Sequence, residues 1–182
     1  MPKKANAFLI TGSPRCRAAW LSVLCSTANA RCYYNPSYGF TDLSDLERLY
    51  ESDHYKFVGA ADSVLALFLP QILDTIKPRT LIVYREPEKR TRYTKQAFEA
   101  MEAVKNHPLV LCAPFEALAH KRVIQKLFWH LLPGEAFDEE RYAQLEKMRI
   151  TADPEWAAAE YVKCRPQLER FIRTAQWQAE TA

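Results

Sequence analysis

The residue types that can do chemistry gather first between positions 8 and 21 of the 182-residue chain. An apolar run, Phe8-Leu9-Ile10-Thr11, passes into Gly12-Ser13-Pro14-Arg15-Cys16-Arg17 and then into Ala18-Ala19-Trp20-Leu21. A loop that leaves a strand and opens a helix presents unpaired N–H groups and the positive end of the helix dipole, a setting that favours an anion. Gly12 allows the tight turn, Arg15 and Arg17 add positive charge, and Trp20 offers a flat face on which a base can stack. A structural turn carrying two solvated arginines is the plainer reading of the same residues.

The elements that must position this loop follow from periodicity and punctuation. Ala7–Thr11 reads as a buried strand ended by Gly-Ser-Pro, and Ala18–Ala28 as a helix with Trp20, Leu21, Leu24 and Cys25 on one side. Further strands are expected at Ala30–Tyr34, Tyr55–Gly59, Thr80–Tyr84 and Leu109–Cys112. The Thr80–Tyr84 run is β-branched and continuous, as a central parallel strand requires. Helices are expected after Thr41-Asp42, from Asp62-Ser63 through Leu73, from Pro87 to about Asn106, around Val123–Leu132, after Phe137-Asp138, and from Pro154 onward with Pro166 kinking or restarting it. Strands alternating with helices predict a three-layer α/β/α fold on a central, mainly parallel sheet of four or five strands, with a helical C-terminal third. One domain over 1–182 is expected, with 151–182 as a helical extension packed on it.

Composition narrows the function classes. The four glycines, Gly12, Gly39, Gly59 and Gly134, are too far apart for G-x-x-x-x-G-K-(S/T) or G-x-G-x-x-G, the two commonest glycine-rich phosphate loops. A net charge of +3 is mildly basic and does not fit a nucleic-acid binder that relies on phosphate contacts. Basic residues bunch at Arg15 and Arg17 and at Lys89-Arg90-x-Arg92; the latter reads equally as a phosphate shelf or a solvated face. Five cysteines without a C-x-x-C pair suggest reduced thiols and a cytoplasmic protein. The four histidines share no metal-ligand spacing, so no metal is expected, and no apolar run has the length of a signal or membrane segment.

Four segments in chain order carry a resemblance. Pro14-Arg15-Cys16-Arg17-Ala18-Ala19-Trp20-Leu21 resembles the phosphosulfate loop P-(K/R)-S-G-T-T-W-L of sulfotransferases that use 3′-phosphoadenosine 5′-phosphosulfate (PAPS). Thr80–Arg90 is similar to that family's 3′-phosphate segment, an apolar strand followed by R-(D/E)-P-x-x-R. Pro114-Phe115-Glu116-Ala117-Leu118 looks like its Y-E-D-L turn, and Leu131–Arg141 like its downstream L-G-l-p…d-e-e-r segment. The resemblance is to small bacterial and phage-type members with a degenerate loop. Arg17 stands where the family has glycine, Ala18 and Ala19 replace its two threonines, and Tyr93 takes the place of a serine, with Thr91 and Thr94 nearby.

The resemblance implies transfer of a sulfuryl group from PAPS to a hydroxyl or amine on a small-molecule or saccharide acceptor. It implies a cofactor site made of Gly12, Ser13, Pro14, Arg15, Cys16, Arg17, Ala18, Ala19, Trp20, Arg85, Arg90, Tyr93 and Thr94. Arg15 would stabilise the leaving phosphate, Arg85 would hold the 3′-phosphate in a bidentate fork with Arg90 or Arg92, and Trp20 would stack on adenine. A proton acceptor is also required. Asn35-Pro36 after the second strand offers none, leaving His54 and Asp62, which read alternatively as a surface histidine and a helix N-cap. Tyr33, Tyr34, Tyr38 and Phe40 can line an acceptor pocket or simply pack. A non-catalytic protein on the same scaffold, binding a nucleotide or a partner, is the second reading. A nucleotide or small-molecule kinase is the third, weakened by the lack of a Walker lysine.

Overall fold

The computed structural model describes residues 6–51, 54–86, 91–148 and 154–181, with side chains for 162–176 in the last segment. Five strands, β1 (Asn6–Gly12), β2 (Ala30–Tyr34), β3 (Phe57–Ala61), β4 (Arg79–Tyr84) and β5 (Val110–Pro114), form one sheet in the order β2-β3-β1-β4-β5. Every neighbouring pair is parallel. Parallel strands need helical crossovers, which cover both faces of the sheet, so the inner strands must be apolar throughout. All five residues of β3 are buried, as are Phe8–Gly12 in β1 and Thr80–Val83 in β4.

Helices α1 (Ala18–Leu24), α5 (Lys121–Leu131) and α6 (Glu139–Lys147) bury Trp20, Leu21, Ile124, Phe128, Tyr142 and Leu145 against one face. Helices α2 (Ser44–Leu49), α3 (Leu69–Thr75), α4 (Arg92–Val104) and α7 (Pro154–Thr181) cover the other through Leu46, Ile72, Met101, Leu168, Phe171 and Ile172. The three-layer α/β/α architecture read from the sequence is the one the chain adopts. Among the described residues, no helix is long and apolar enough to cross a membrane.

Local boundaries differ from the expected ones for identifiable reasons. β3 lies two residues later than expected because Phe57 to Ala61 are the residues in register with β1, from Asn6↔Phe57 to Ile10↔Ala61. Gly59 is placed there by a close approach: a Cβ would stand 2.1 Å from the Phe8 ring. Helix α1 stops at Leu24, and the Ser26 hydroxyl, which donates to Ser22 O and accepts from Cys32 N, folds the chain toward β2. The helix expected after Asp62-Ser63 is a 3-10 turn, Val64–Phe68, followed by α3, whose first turn contains Pro70. α4 starts at Arg92, where Thr91 and Thr94 form a reciprocal capping box; Pro87, expected in the first turn of this helix, lies outside the described residues. α7 is one helix through Pro166, which neither ends nor restarts it.

His130, expected on a helix surface, is half-buried, with Nε2 within 3.1 Å of Thr80 O and 3.2 Å of Leu109 O at the starts of β4 and β5. Burial pushes its pKa below the ordinary histidine value, against the pull of the two carbonyls.

The strand starts are also pinned from outside the sheet. The Glu135 carboxylate accepts from Asn29 Nδ2 at 3.0 Å and from Lys56 Nζ at 3.0 Å, holding the residues that precede β2 and β3. These bonds, the Asn29 amide first and then the Lys56 ammonium, lower the Glu135 pKa from about 4.5. A carboxylate whose folded pKa is depressed contributes stability that is present above its unfolded pKa and lost as pH falls through the folded one. Glu135→Gln should therefore unfold at lower urea concentration than wild type at pH 7. The gap should close as the pH is lowered below 4.5, measured by urea midpoints across that range.

Candidate active site

Connections that leave neighbouring strands toward opposite faces open a crevice at the C-terminal edge of a parallel sheet. Here β1 leads to α1 on one face, whereas β3 and β4 lead to α3 and α4 on the other. A cavity of about 550 Å³ lies at that point, within the roughly 300–1,000 Å³ typical of small-molecule sites. Gly12, Pro14 and Arg15 reach it from the end of β1, Val64 and Leu67 from beyond β3, and Arg85 and Glu86 from the end of β4. Thr91, Tyr93 and Thr94 line it at the start of α4, and Arg165, Leu168, Glu169 and Ile172 form the α7 wall.

Backbone bonds that run past the strand ends hold the loops together. Ser13 N donates to Val83 O at 3.2 Å, Asp62 N to Ile10 O at 2.9 Å and Asn35 N to Ala61 O at 2.9 Å. Gly12 has φ +148°, and a Cβ on it would meet Val83 O at 2.1 Å, so only glycine fits. Arg85 N donates to Ser13 Oγ at 3.3 Å and Arg85 Nη1 to Arg15 O at 2.9 Å, while its guanidinium carbon sits 4.5 Å from the Phe115 ring centroid. Arg15 and Arg17 both occupy the left-handed region, at φ 62° and 63°, which costs a non-glycine residue about 1–3 kcal/mol and persists only where surrounding bonds enforce it.

The structure therefore brings Gly12, Pro14, Arg15, Arg85, Tyr93 and Thr94 to one cavity, with Ser13 buried beneath them as a tether. Other expected site residues are engaged elsewhere. Cys16 is buried, and its thiol accepts from the Ala18 N–H. Arg17 turns away from the cavity: its Nη1 donates to Leu118 O at 3.2 Å and its guanidinium lies 4.9 Å from the Trp20 centroid. Ala18 and Ala19 are half-buried in the first turn of α1, outside the cavity lining. Arg90 lies outside the described residues.

Three expected roles need correction. Trp20 has no open face for an adenine. Its indole N–H donates to Leu145 O at 2.9 Å, its ring meets Tyr142 edge to face, and it is buried under α6 on the face opposite α4 and α7. His54 precedes β3 and so lies at the N-terminal end of a parallel sheet whose cavity is at the C-terminal end. Asp62 is fully buried, one carboxylate oxygen accepting from Ser37 N and the other from Val64 N, each at 2.9 Å. Burial raises its pKa while those bonds oppose the rise. Asp62 joins two 3-10 turns and is not among the residues that line the cavity; the N-cap of the second turn is Ser63, one residue later, whose side chain makes no capping bond. Of the aromatic loop residues, Phe40 is buried against Phe171, and Tyr33 and Tyr34 are exposed at the edge strand, outside the cavity lining.

No family model, curated protein or solved structure matches this chain. Among the described residues, no group of three His, Cys, Asp or Glu is placed to hold a metal ion.

Sequence reasoning missed the α7 wall. Arg165, Leu168, Glu169 and Ile172 recur at i, i+3, i+4 and i+7, one stripe of a helix. A charged pair inside an otherwise core-facing stripe was the available signal.

The same geometry predicts thiol reactivity. Burial drives Cys16 to about 11 and Cys25 to about 12, and pushes Cys32 up as well. Native protein treated with iodoacetamide near pH 7.5 should label at the partly exposed Cys112 and Cys164 well before Cys16, Cys25 or Cys32. Peptide mass mapping over time reads this, and urea should remove the difference.

Proposed function

We propose that the cavity binds an adenine nucleotide of the PAPS class and that the chain is a sulfotransferase acting on a hydroxyl or amine of a small-molecule or saccharide acceptor. The observation that carries this reading is convergence. The two segments that resemble the 5′-phosphosulfate loop and the 3′-phosphate segment lie 70 residues apart at Arg15 and Arg85, yet a bond of 2.9 Å links them on one cavity. The strained Arg15 backbone supports it too, since such strain concentrates at ligand sites.

The donor set suits the group. Arg15, Arg85 and Arg165 supply positive charge, Thr91, Tyr93 and Thr94 supply hydroxyls, and Val64, Leu67, Ala97, Leu168 and Ile172 supply an apolar wall for a base or an apolar acceptor. The nucleotide supplies an activated sulfuryl group, whose S–O bond to phosphate breaks as the acceptor's bond to sulfur forms. Arg15 and Arg85 would hold charge at the phosphate oxygens. The carboxylates that line the cavity are Glu86 and Glu169, and these replace His54 and Asp62 as candidates to take the acceptor's proton.

A second reading, binding without transfer, draws on the loop itself. Cys16 and Arg17 are committed to structural contacts, and Ala18 and Ala19 bring no hydroxyl to the anion.

Calorimetric titration with adenosine 3′,5′-bisphosphate (PAP) tests the nucleotide site. Wild type should bind PAP and not ATP with Mg²⁺, and Arg15→Ala and Arg85→Ala should each weaken it by about 10-fold or more, the loss expected for hydrogen bonds to a charged group. PAP binding without sulfate transfer from PAPS across phenol, amine and saccharide acceptors would select the second reading. Binding of neither nucleotide would overturn both.

A further inference from the structure

The parallel register of β4 and β5 carries an interaction past the strand ends. Tyr84 pairs with Pro114, and the next residues along the two strands are Arg85 and Phe115. Neighbouring strands lie about 4.8 Å apart and side chains alternate between faces, so these two fall beside each other as the paired Val83 and Ala113 do. The Arg85 guanidinium carbon sits 4.5 Å from the Phe115 ring centroid, which turns that placement into a cation–π stack.

Phe115 is itself held. It opens the 3-10 turn Phe115–Ala119 and packs, half-buried, against the core that α1, α5 and α6 cover. Leu118 of the same turn is buried, and its carbonyl accepts from Arg17 Nη1 at 3.2 Å. One turn after β5 therefore braces the β1 loop through Arg17 and the end of β4 through Arg85. Phe115 is not among the residues that line the cavity.

The two contacts of the Arg85 guanidinium constrain it in different ways. The ring against its face sets its plane, and the bond from Nη1 to Arg15 O at 2.9 Å sets its rotation within that plane. Neither contact uses Nε or Nη2, the in-plane edge that meets phosphate or sulfate in a fork. A donor fixed in this way needs no reorganisation when the anion arrives.

We infer that Phe115 is a positioning residue of the anion site: it stacks against Arg85 and orients that guanidinium toward the anion without itself lining the cavity. This rests on the nucleotide reading above and extends the site to a third strand end, that of β5.

The test titrates the full chain with PAP by calorimetry in Phe115→Leu and Phe115→Tyr, each alone and combined with Arg85→Ala or Arg15→Ala. Phe115→Leu keeps apolar bulk and removes the ring face, and should weaken PAP by about 3- to 10-fold. Phe115→Tyr keeps the face and should bind as wild type does. Beside Arg85→Ala, Phe115→Leu should cost nothing further, whereas beside Arg15→Ala its loss should be retained. Circular dichroism confirms that each variant is folded, and Phe115→Met takes the place of Phe115→Leu if the latter is not. Unchanged affinity in Phe115→Leu, an equal loss in Phe115→Tyr, or a loss that persists beside Arg85→Ala overturns the inference and leaves the nucleotide site standing. Wild type that does not bind PAP overturns the nucleotide reading, and this inference falls with it.

Discussion

The close approach of Gly12 to β4 is the constraint on which the rest of the cavity depends. A side chain at position 12 would collide with Val83 O, and the next residue, Ser13, donates its N–H to that same oxygen. Ser13 then accepts from Arg85 N, and Arg85 reaches back to Arg15 O. One missing Cβ thus lets two loops from different strands share a single hydrogen-bonded seam. Without it the β1 loop would lift from β4 and the two arginines would part.

A second hub lies on the other side of β1. The Asp62 carboxylate is removed from solvent and joins the 3-10 turn that starts at Pro36 to the one that starts at Val64. Thr11 Oγ1 donates to Asp62 O at 2.7 Å, so the end of β1 is fastened to the same residue. A buried carboxylate is costly unless hydrogen-bonded, and here backbone N–H groups from two turns satisfy it. Its work is to fix where Ser63 and Val64 face the cavity. The α7 helix closes the remaining side through Leu168, Phe171 and Ile172, with Phe171 edge to face against both Phe40 and Phe68. The cavity is therefore a product of three strand ends and a helix contributed by the far end of the chain.

Arg17 and Trp20 show where local reading misleads. Both stand in a segment that resembles a nucleotide loop, and both have chemistry suited to one. In the structure they stack on each other and bond to Leu118 and Leu145, residues about a hundred positions away. No short window of sequence contains those partners. Asp62 is a milder case: its bond to the start of the following turn at Val64 N is local, but its bond to Ser37, and hence its inaccessibility, depends on how β2 and β3 are paired. His130 followed the same course, since the carbonyls that draw it inward belong to Thr80 of β4 and to Leu109, the residue just before β5.

By itself the sequence determined the layer order, because hydrophobic period and turn residues are local properties: continuous apolar runs for strands buried on both faces, amphipathic stretches between them, and Gly12 at the first turn. It also marked Arg15 and Arg85 as the residues to watch. Tertiary structure alone decided that these two arginines lie side by side, that Trp20 is core, that His54 is at the wrong end of the sheet, and that Arg165 and Glu169 face the same cavity. The reason is physical. Strand order and the face taken by each crossover are set by which apolar surfaces can be buried together, and that depends on contacts between residues far apart in the chain.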